Sequence, residues 1–147
     1  MEFDYVIYTD GACLGNPGPG GWAAIIFYKK KKKKLIKGNK LNTTNNQMEL
    51  LASIEALKDI ENKSSIKIYT DSKYLIDGIN IWIKKWKLNN WKTASRKEVK
   101  NNELWKELDL LSSNHLIKWE WVRGHSGNIF NEEVDKIARE EANLLKI

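Results

Sequence analysis

Cysteine, histidine and proline are scarce: one Cys, two His and two Pro in 147 residues. With Cys13 alone, no internal disulfide can close and no cysteine-based zinc site can form. A reducing cytoplasm suits that usage. No apolar run approaches the roughly 20 residues needed to span a bilayer, so no membrane role is expected. The chain turns strand-like within a few residues of Met1, which leaves no room for a signal or transit peptide and suggests a complete gene product. Acid is nearly missing from Trp82 to Lys100, where only Glu98 carries it. What is abundant is base: net charge is +6 and the isoelectric point near 9.3. Such a surface attracts an anionic partner, with nucleic acid the first candidate. With 41% hydrophobic residues, the chain can bury one core in one domain.

One stretch organises the rest. Tyr5 to Thr9 is a run of β-branched and aromatic residues that reads as a strand buried on both faces. Glycines and prolines crowd Gly11 to Gly21 and break the ladder, so Asp10 is expected where a central strand ends. Ile68-Tyr69-Thr70-Asp71-Ser72 repeats the pattern, with a helical segment between the copies. Strands joined through a helix lie parallel by a right-handed crossover, which brings Asp10 and Asp71 to one sheet edge. Singly, Asp-Gly is a turn signal and Asp71 before Ser72 a helix cap. Together they repel by roughly 4 kcal/mol at 4 Å and an effective dielectric near 20. A pair of this kind shares a proton or holds a cation.

Further elements follow in order. Gly21 to Tyr28 and Leu35 to Leu41 form a hairpin that completes a three-strand antiparallel meander, with Lys29 to Lys34 as its solvated tip. Thr44 and Gln47 make a capping-box pattern ahead of a helix whose stripe is Leu50, Leu51, Ile54 and Leu57. Glu49, in its first turn, could be a surface acid favoured by the helix dipole. A short helix over Asp71 to Gly78 follows the repeated strand. The segment Trp82, Lys84, Lys85, Trp86, Lys87, Trp91, Lys92, Arg96, Lys97 and Lys100 interleaves aromatics with cations, as a groove tracking a phosphate backbone would. Trp82 and Trp86 share a helix face. A helix over Asn101 to Ser112, a strand over Leu116 to Val122, a glycine-flanked turn holding His125, and a last helix from about Asn131 towards Leu145 complete the chain. That last helix buries Val134, Ile137, Ala138 and Ala142 and carries Asp135 beside the stripe.

These motifs, in this order and spacing, resemble the type 1 ribonucleases H of the free-standing bacterial kind. They are Tyr8-Thr9-Asp10-Gly11 with Gly15-Asn16-Pro17-Gly18, Thr43-Thr44-Asn45-Asn46 leading to Met48-Glu49-Leu50, and Tyr69-Thr70-Asp71-Ser72. Trp91-Lys92-Thr93, Trp119-Glu120-Trp121-Val122 with Gly124-His125, and Asn131-Glu132 leading to Asp135 follow. The resemblance covers essentially the whole chain, residues 1–147, as a single domain. It implies an α/β ribonuclease H-like fold: a five-stranded mixed sheet, three strands in an antiparallel meander plus two parallel strands, with helices on both faces. It implies an endonuclease that hydrolyses the RNA strand of RNA/DNA hybrids with two Mg2+ ions, Mn2+ substituting, and leaves 5′-phosphate and 3′-hydroxyl ends.

By the same resemblance the metal ligands and catalytic acids are Asp10, Glu49, Asp71 and Asp135, with His125 auxiliary in moving protons or releasing product. Asp10 bridges the ions, Asp135 completes the nucleophile side, and Glu49 and Asp71 hold the leaving-group side. Mg2+ wants a few carboxylates, several waters and substrate phosphate. Two ions about 3.5 to 4 Å apart suit an in-line displacement. RNA is told from DNA by its 2′-hydroxyl, which the resemblance assigns to Cys13, Asn16, Asn45 and Glu49. The DNA strand would follow Trp82, Lys85, Trp86, Lys100 and Trp105, with Thr44 and Asn101 near a phosphate. The enzyme would be a cytoplasmic monomer needing no protein partner. Departures from bacterial relatives are Asn42 for an arginine before the threonine pair, Lys73 for a glutamine, and a less basic tip at Leu88-Asn89-Asn90, for which the lysine run would partly compensate. A non-catalytic hybrid-binding module, a related two-metal nuclease acting on DNA, and a domain of a reverse transcriptase are the competing readings.

Overall fold

The computed structural model describes residues 2–124 and 127–146. Its strands are β1 (Tyr5–Cys13), β2 (Gly18–Tyr28), β3 (Lys31–Thr43), β4 (Ser65–Thr70) and β5 (Leu116–Trp121). The helices are α1 (Asn45–Lys58), α2 (Lys73–Asp77), α3 (Ile83–Leu88), α4 (Asn102–Ser112) and α5 (Ile129–Asn143). The strands form one sheet in the order β3-β2-β1-β4-β5. β1, β2 and β3 are the antiparallel meander, and β4 and β5 run parallel to β1. This is the expected five-stranded mixed sheet with helices on both faces. Among the described residues no helix is long and apolar enough to cross a membrane.

Alternation along β2 shows why both faces need cover. Ala24 and Ile26 point into the core shared with Leu50, Ile54, Leu57, Trp105 and Leu108 of α1 and α4. Ala23 and Ile25 point the other way, against Val134 and Ala138 of α5. Successive strand residues face opposite sides, so an apolar run of this length leaves neither side fit for water. Two glycines let the helices close in. A Cβ at Gly11 would stand 2.5 Å from the Glu49 backbone nitrogen, and one at Gly21 would stand 2.6 Å from that of Ala142.

Three expectations are corrected. First, β1 does not end at Asp10 but continues to Cys13, because β2 stays paired with it from Ala23 opposite Asp10 to Gly20 opposite Cys13. It is the parallel neighbour β4 that stops, at Thr70. Second, the lysine run is hardly a loop. Lys29 and Lys30, both at positive φ, make a two-residue turn whose twist suits a hairpin, and Lys31 to Lys34 already belong to β3. Lys29, Lys30 and Lys34 pair with Asp4, Glu2 and Asp59. Third, the short helix after Asp71 does not end at Gly78. α2 passes through one π-helical turn, Gly78–Trp82, straight into α3.

Candidate active site

The register of the parallel pair brings the two repeated acids together. Tyr8 lies opposite Tyr69, so Asp10 and Asp71 each sit two residues beyond a matched position. α1 contributes the third acid. Thr44 caps it, with its hydroxyl oxygen accepting from the Gln47 backbone N–H at 3.2 Å. The close approach of α1 to Gly11 then turns Glu49 inward. Carboxylate oxygens of Asp10, Glu49 and Asp71 all lie within 4.8 Å of one another. Asp10 and Glu49 are buried, at 2% and 4% exposure, which removes the surface-acid reading of Glu49.

Such a cluster is electrostatically unfavourable by itself. Burial first, and then repulsion from Asp71, push the Asp10 carboxyl up to about 9. Burial likewise raises Glu49 well above the usual carboxylate range, with Asp10 and then Asp71 adding to it. Among the described residues, none donates a hydrogen bond to Asp10 Oδ2 or Glu49 Oε1. Buried oxygens left without donors are costly unless a cation meets them. A set of hard carboxylate oxygens with spare lone pairs fits Mg2+ or Mn2+ and does not suit a soft thiophilic ion.

Asp135, from α5, lines the same cleft of about 510 Å³ as the three clustered acids. It stands outside the tight group, its Oδ2 accepting from Arg139 Nη2 at 2.9 Å one helical turn on. A larger cleft, about 720 Å³, lies at the opposite end of α1 around Leu57, Lys58 and His115, and it lacks a carboxylate cluster. The chemistry therefore points to the smaller one. His125 lies outside the described residues.

The rim of the acidic cleft carries Cys13 and Asn45. Cys13 Sγ donates to the Gly15 carbonyl at 2.9 Å, bracing the glycine-rich turn. Asn16 is exposed, and its Oδ1 accepts from the Asn45 backbone N–H at 2.9 Å, tying that turn to the start of α1. The sites expected for the other strand divide. Lys85 and Lys100 are exposed, and Trp82 and Trp86 are half-buried. Trp105 is corrected: at 0% exposure it offers no face to a ligand. Its Nε1 donates to the Tyr74 hydroxyl at 2.9 Å, and its ring packs against Tyr74 and Trp86, so it supports the groove from within.

Several contacts escaped the sequence reading. Gln47 completes only half a capping box. Its side chain accepts from Thr43 Oγ1 at 2.7 Å and donates to Asn101 Oδ1 at 3.1 Å, linking α1 to the residue that precedes α4. Asn101 in turn donates to Tyr74. No spacing in the sequence pairs Gln47 with a residue 54 positions away. Arg139 was findable, since it stands four residues after Asp135 on a helix.

The RNase H family model matches residues 2–143. A ribonuclease H of Wolbachia pipientis wMel is 56% identical over 136 residues, 92% of this chain and 93% of that one. The solved structure of LC9-RNase H1, a type 1 RNase H with the type 2 active-site motif, is 30% identical with a TM-score of 0.83, covering 97% of this chain and 73% of that chain. LC11-RNase H1, solved in complex with an RNA/DNA hybrid, shares the fold at a TM-score of 0.70 and 20% identity, over 95% of this chain and 97% of that chain.

Proposed function

This chain belongs to the ribonuclease H family, and from that premise we propose that it cuts the RNA strand of RNA/DNA hybrids with two divalent ions, leaving 5′-phosphate and 3′-hydroxyl ends. The observation that carries this reading is the trio of buried Asp10 and Glu49 and half-buried Asp71, whose oxygens converge within 4.8 Å while Asp10 Oδ2 and Glu49 Oε1 accept no hydrogen bond from the described residues. Ions held there, Mg2+ or Mn2+, would make a water acidic enough to attack and neutralise charge on the departing 3′ oxygen.

The chain's own groups do the rest. Asp10, Glu49, Asp71 and Asp135 would hold the ions, Asp10 serving both, Asp135 the one that would activate the attacking water, and Glu49 and Asp71 the one that would neutralise the leaving group. His125 moves a proton or helps product leave. Cys13, Asn16, Asn45 and Glu49 lie where the 2′-hydroxyls of the cut strand pass, which separates RNA from DNA. The other strand runs along Trp82, Lys85, Trp86 and Lys100, with Thr44 and Asn101 at a phosphate. Thr44 keeps its hydroxyl proton to donate, since its oxygen accepts from Gln47. The unit is a single domain over residues 1–147, acting in the cytoplasm as a monomer.

The test is one assay with end-labelled RNA/DNA hybrid, duplex DNA and duplex RNA, each with Mg2+ and with chelator. Only the hybrid should be cut, only in its RNA strand, and only with the ion. Binding of hybrid without cleavage would instead identify a non-catalytic module. Cleavage of duplex DNA would identify a DNA-directed relative.

A further inference from the structure

Lys73 opens α2 two residues after Asp71 and lines the acidic cleft while remaining exposed. Its Nζ lies 4.3 Å from the centroid of the Trp121 ring. Among the described residues it forms no ion pair. Trp121 is itself anchored: its Nε1 donates to the Asp71 carbonyl at 3.1 Å, and the following residue, Val122, donates to the Thr70 carbonyl at 2.8 Å. The peptide that carries a cleft carboxylate thus also fixes the indole on which the ammonium rests.

A cation beside several acids would ordinarily pair with one. This one is parked on a neutral ring at the mouth, where an exposed contact of this type is weak. So weak a hold positions the charge without committing it. We propose that Lys73, held by Trp121, binds a backbone phosphate of the strand drawn into the cleft. The proposal rests on the hybrid-cleaving function above and adds to it a contact that reads the backbone and no base. Chemistry favours the backbone, because an ammonium is a compact point charge with three donors and no acceptor on a flexible stem. Phosphate is offered by every nucleotide, so the contact carries no sequence information. It also answers a need of this site: acids repel an approaching phosphate, and a fixed cation at the rim offsets part of that.

The experiment measures binding of two fluorescently labelled RNA/DNA hybrids of unrelated sequence in chelator, from 50 to 300 mM KCl, for the whole chain and its K73Q, K73R and W121L variants. Loss of one phosphate contact lowers the slope of log affinity against log salt by about 0.7 to 0.9, which amounts to about five- to eightfold weaker binding at 0.1 M salt. K73Q should show this equally on both hybrids, and K73R should restore it. W121L should share the defect, and the double variant should be no worse than K73Q. An unchanged slope in K73Q, or a loss confined to one sequence, overturns the proposal; the latter would mean a base-edge contact. If the parent protein cleaves hybrid and K73Q keeps its slope, this inference alone fails. If the parent protein cleaves no hybrid, the functional reading beneath it fails as well.

Discussion

Burial and charge conflict most sharply at Asp10. Its carboxyl, pushed up to about 9 by burial and by Asp71, stays protonated in the ion-free fold where the unfolded chain has already released the proton, from about pH 4 upward. The native state then binds more protons than the unfolded state across that window, and stability falls as pH rises through it. Divalent ions take the place of the proton and remove the difference. Thermal melts at pH 5, 7 and 9 should therefore decline in chelator and flatten with Mg2+. Parallel declines in both would contradict the account. Asp10→Asn removes the burden together with the chemistry: it should melt a few degrees higher than the parent in chelator at pH 8, still bind hybrid, and cut none. Cleavage by this variant at the parent rate would remove the two-ion mechanism.

At the scale of elements, the site depends on two helices gripping one strand pair from opposite faces. α1 delivers Glu49 by closing on Gly11, and α5 delivers Asp135 by closing on Gly21, where an added Cβ would meet the Ala138 carbonyl oxygen, the Ala142 nitrogen and Glu141 Cβ. Backbone atoms yield little, so Gly21→Ala should push α5 outward and destabilise the fold by about 1 to 3 kcal/mol. Because the same shift carries Asp135 from the cleft, the variant should also bind Mn2+ more weakly by calorimetry. Full ion affinity in a destabilised variant would show that α5 merely covers the sheet. The aromatic segment makes a related point. Tyr74, Trp82, Trp86, Trp91 and Trp105 contact one another in a connected cluster, so much of what reads in sequence as ligand-facing surface is packing that stiffens α2, α3 and α4.

Across the whole molecule, charge of one sign is spent in two places. The basic segment around Lys85 and Lys100 is exposed, whereas the lysine hairpin lies at the far end of the sheet. There Tyr28 pairs with Tyr5, five residues along β1 from Asp10, or about 17 Å. The hairpin is therefore remote from the clustered acids. Its ion pairs with Asp4 and Glu2 are exposed and screened by solvent, so they add little. Neutralising Lys85 and Lys100 together should lower the salt slope of hybrid binding by about two contacts' worth. Neutralising Lys30 and Lys31 together should leave it unchanged. Equal losses in the two double variants would mean that only net charge matters.

Local chemistry determined a good part of this protein. The repeated Tyr-Thr-Asp, the β-branched runs around it and the threonine cap before α1 specify strands, a helix start and two acids at matched register, because each depends on neighbours within a few residues. Tertiary structure alone decided the rest. That β1 outlasts β4, that Trp105 turns inward, that Gln47 reaches Asn101, and that Trp121 holds both the Asp71 carbonyl and the Lys73 ammonium depend on how faces close. Burial, not residue type, raises Asp10 and Glu49, and burial is a property of the packed whole that no window of sequence contains.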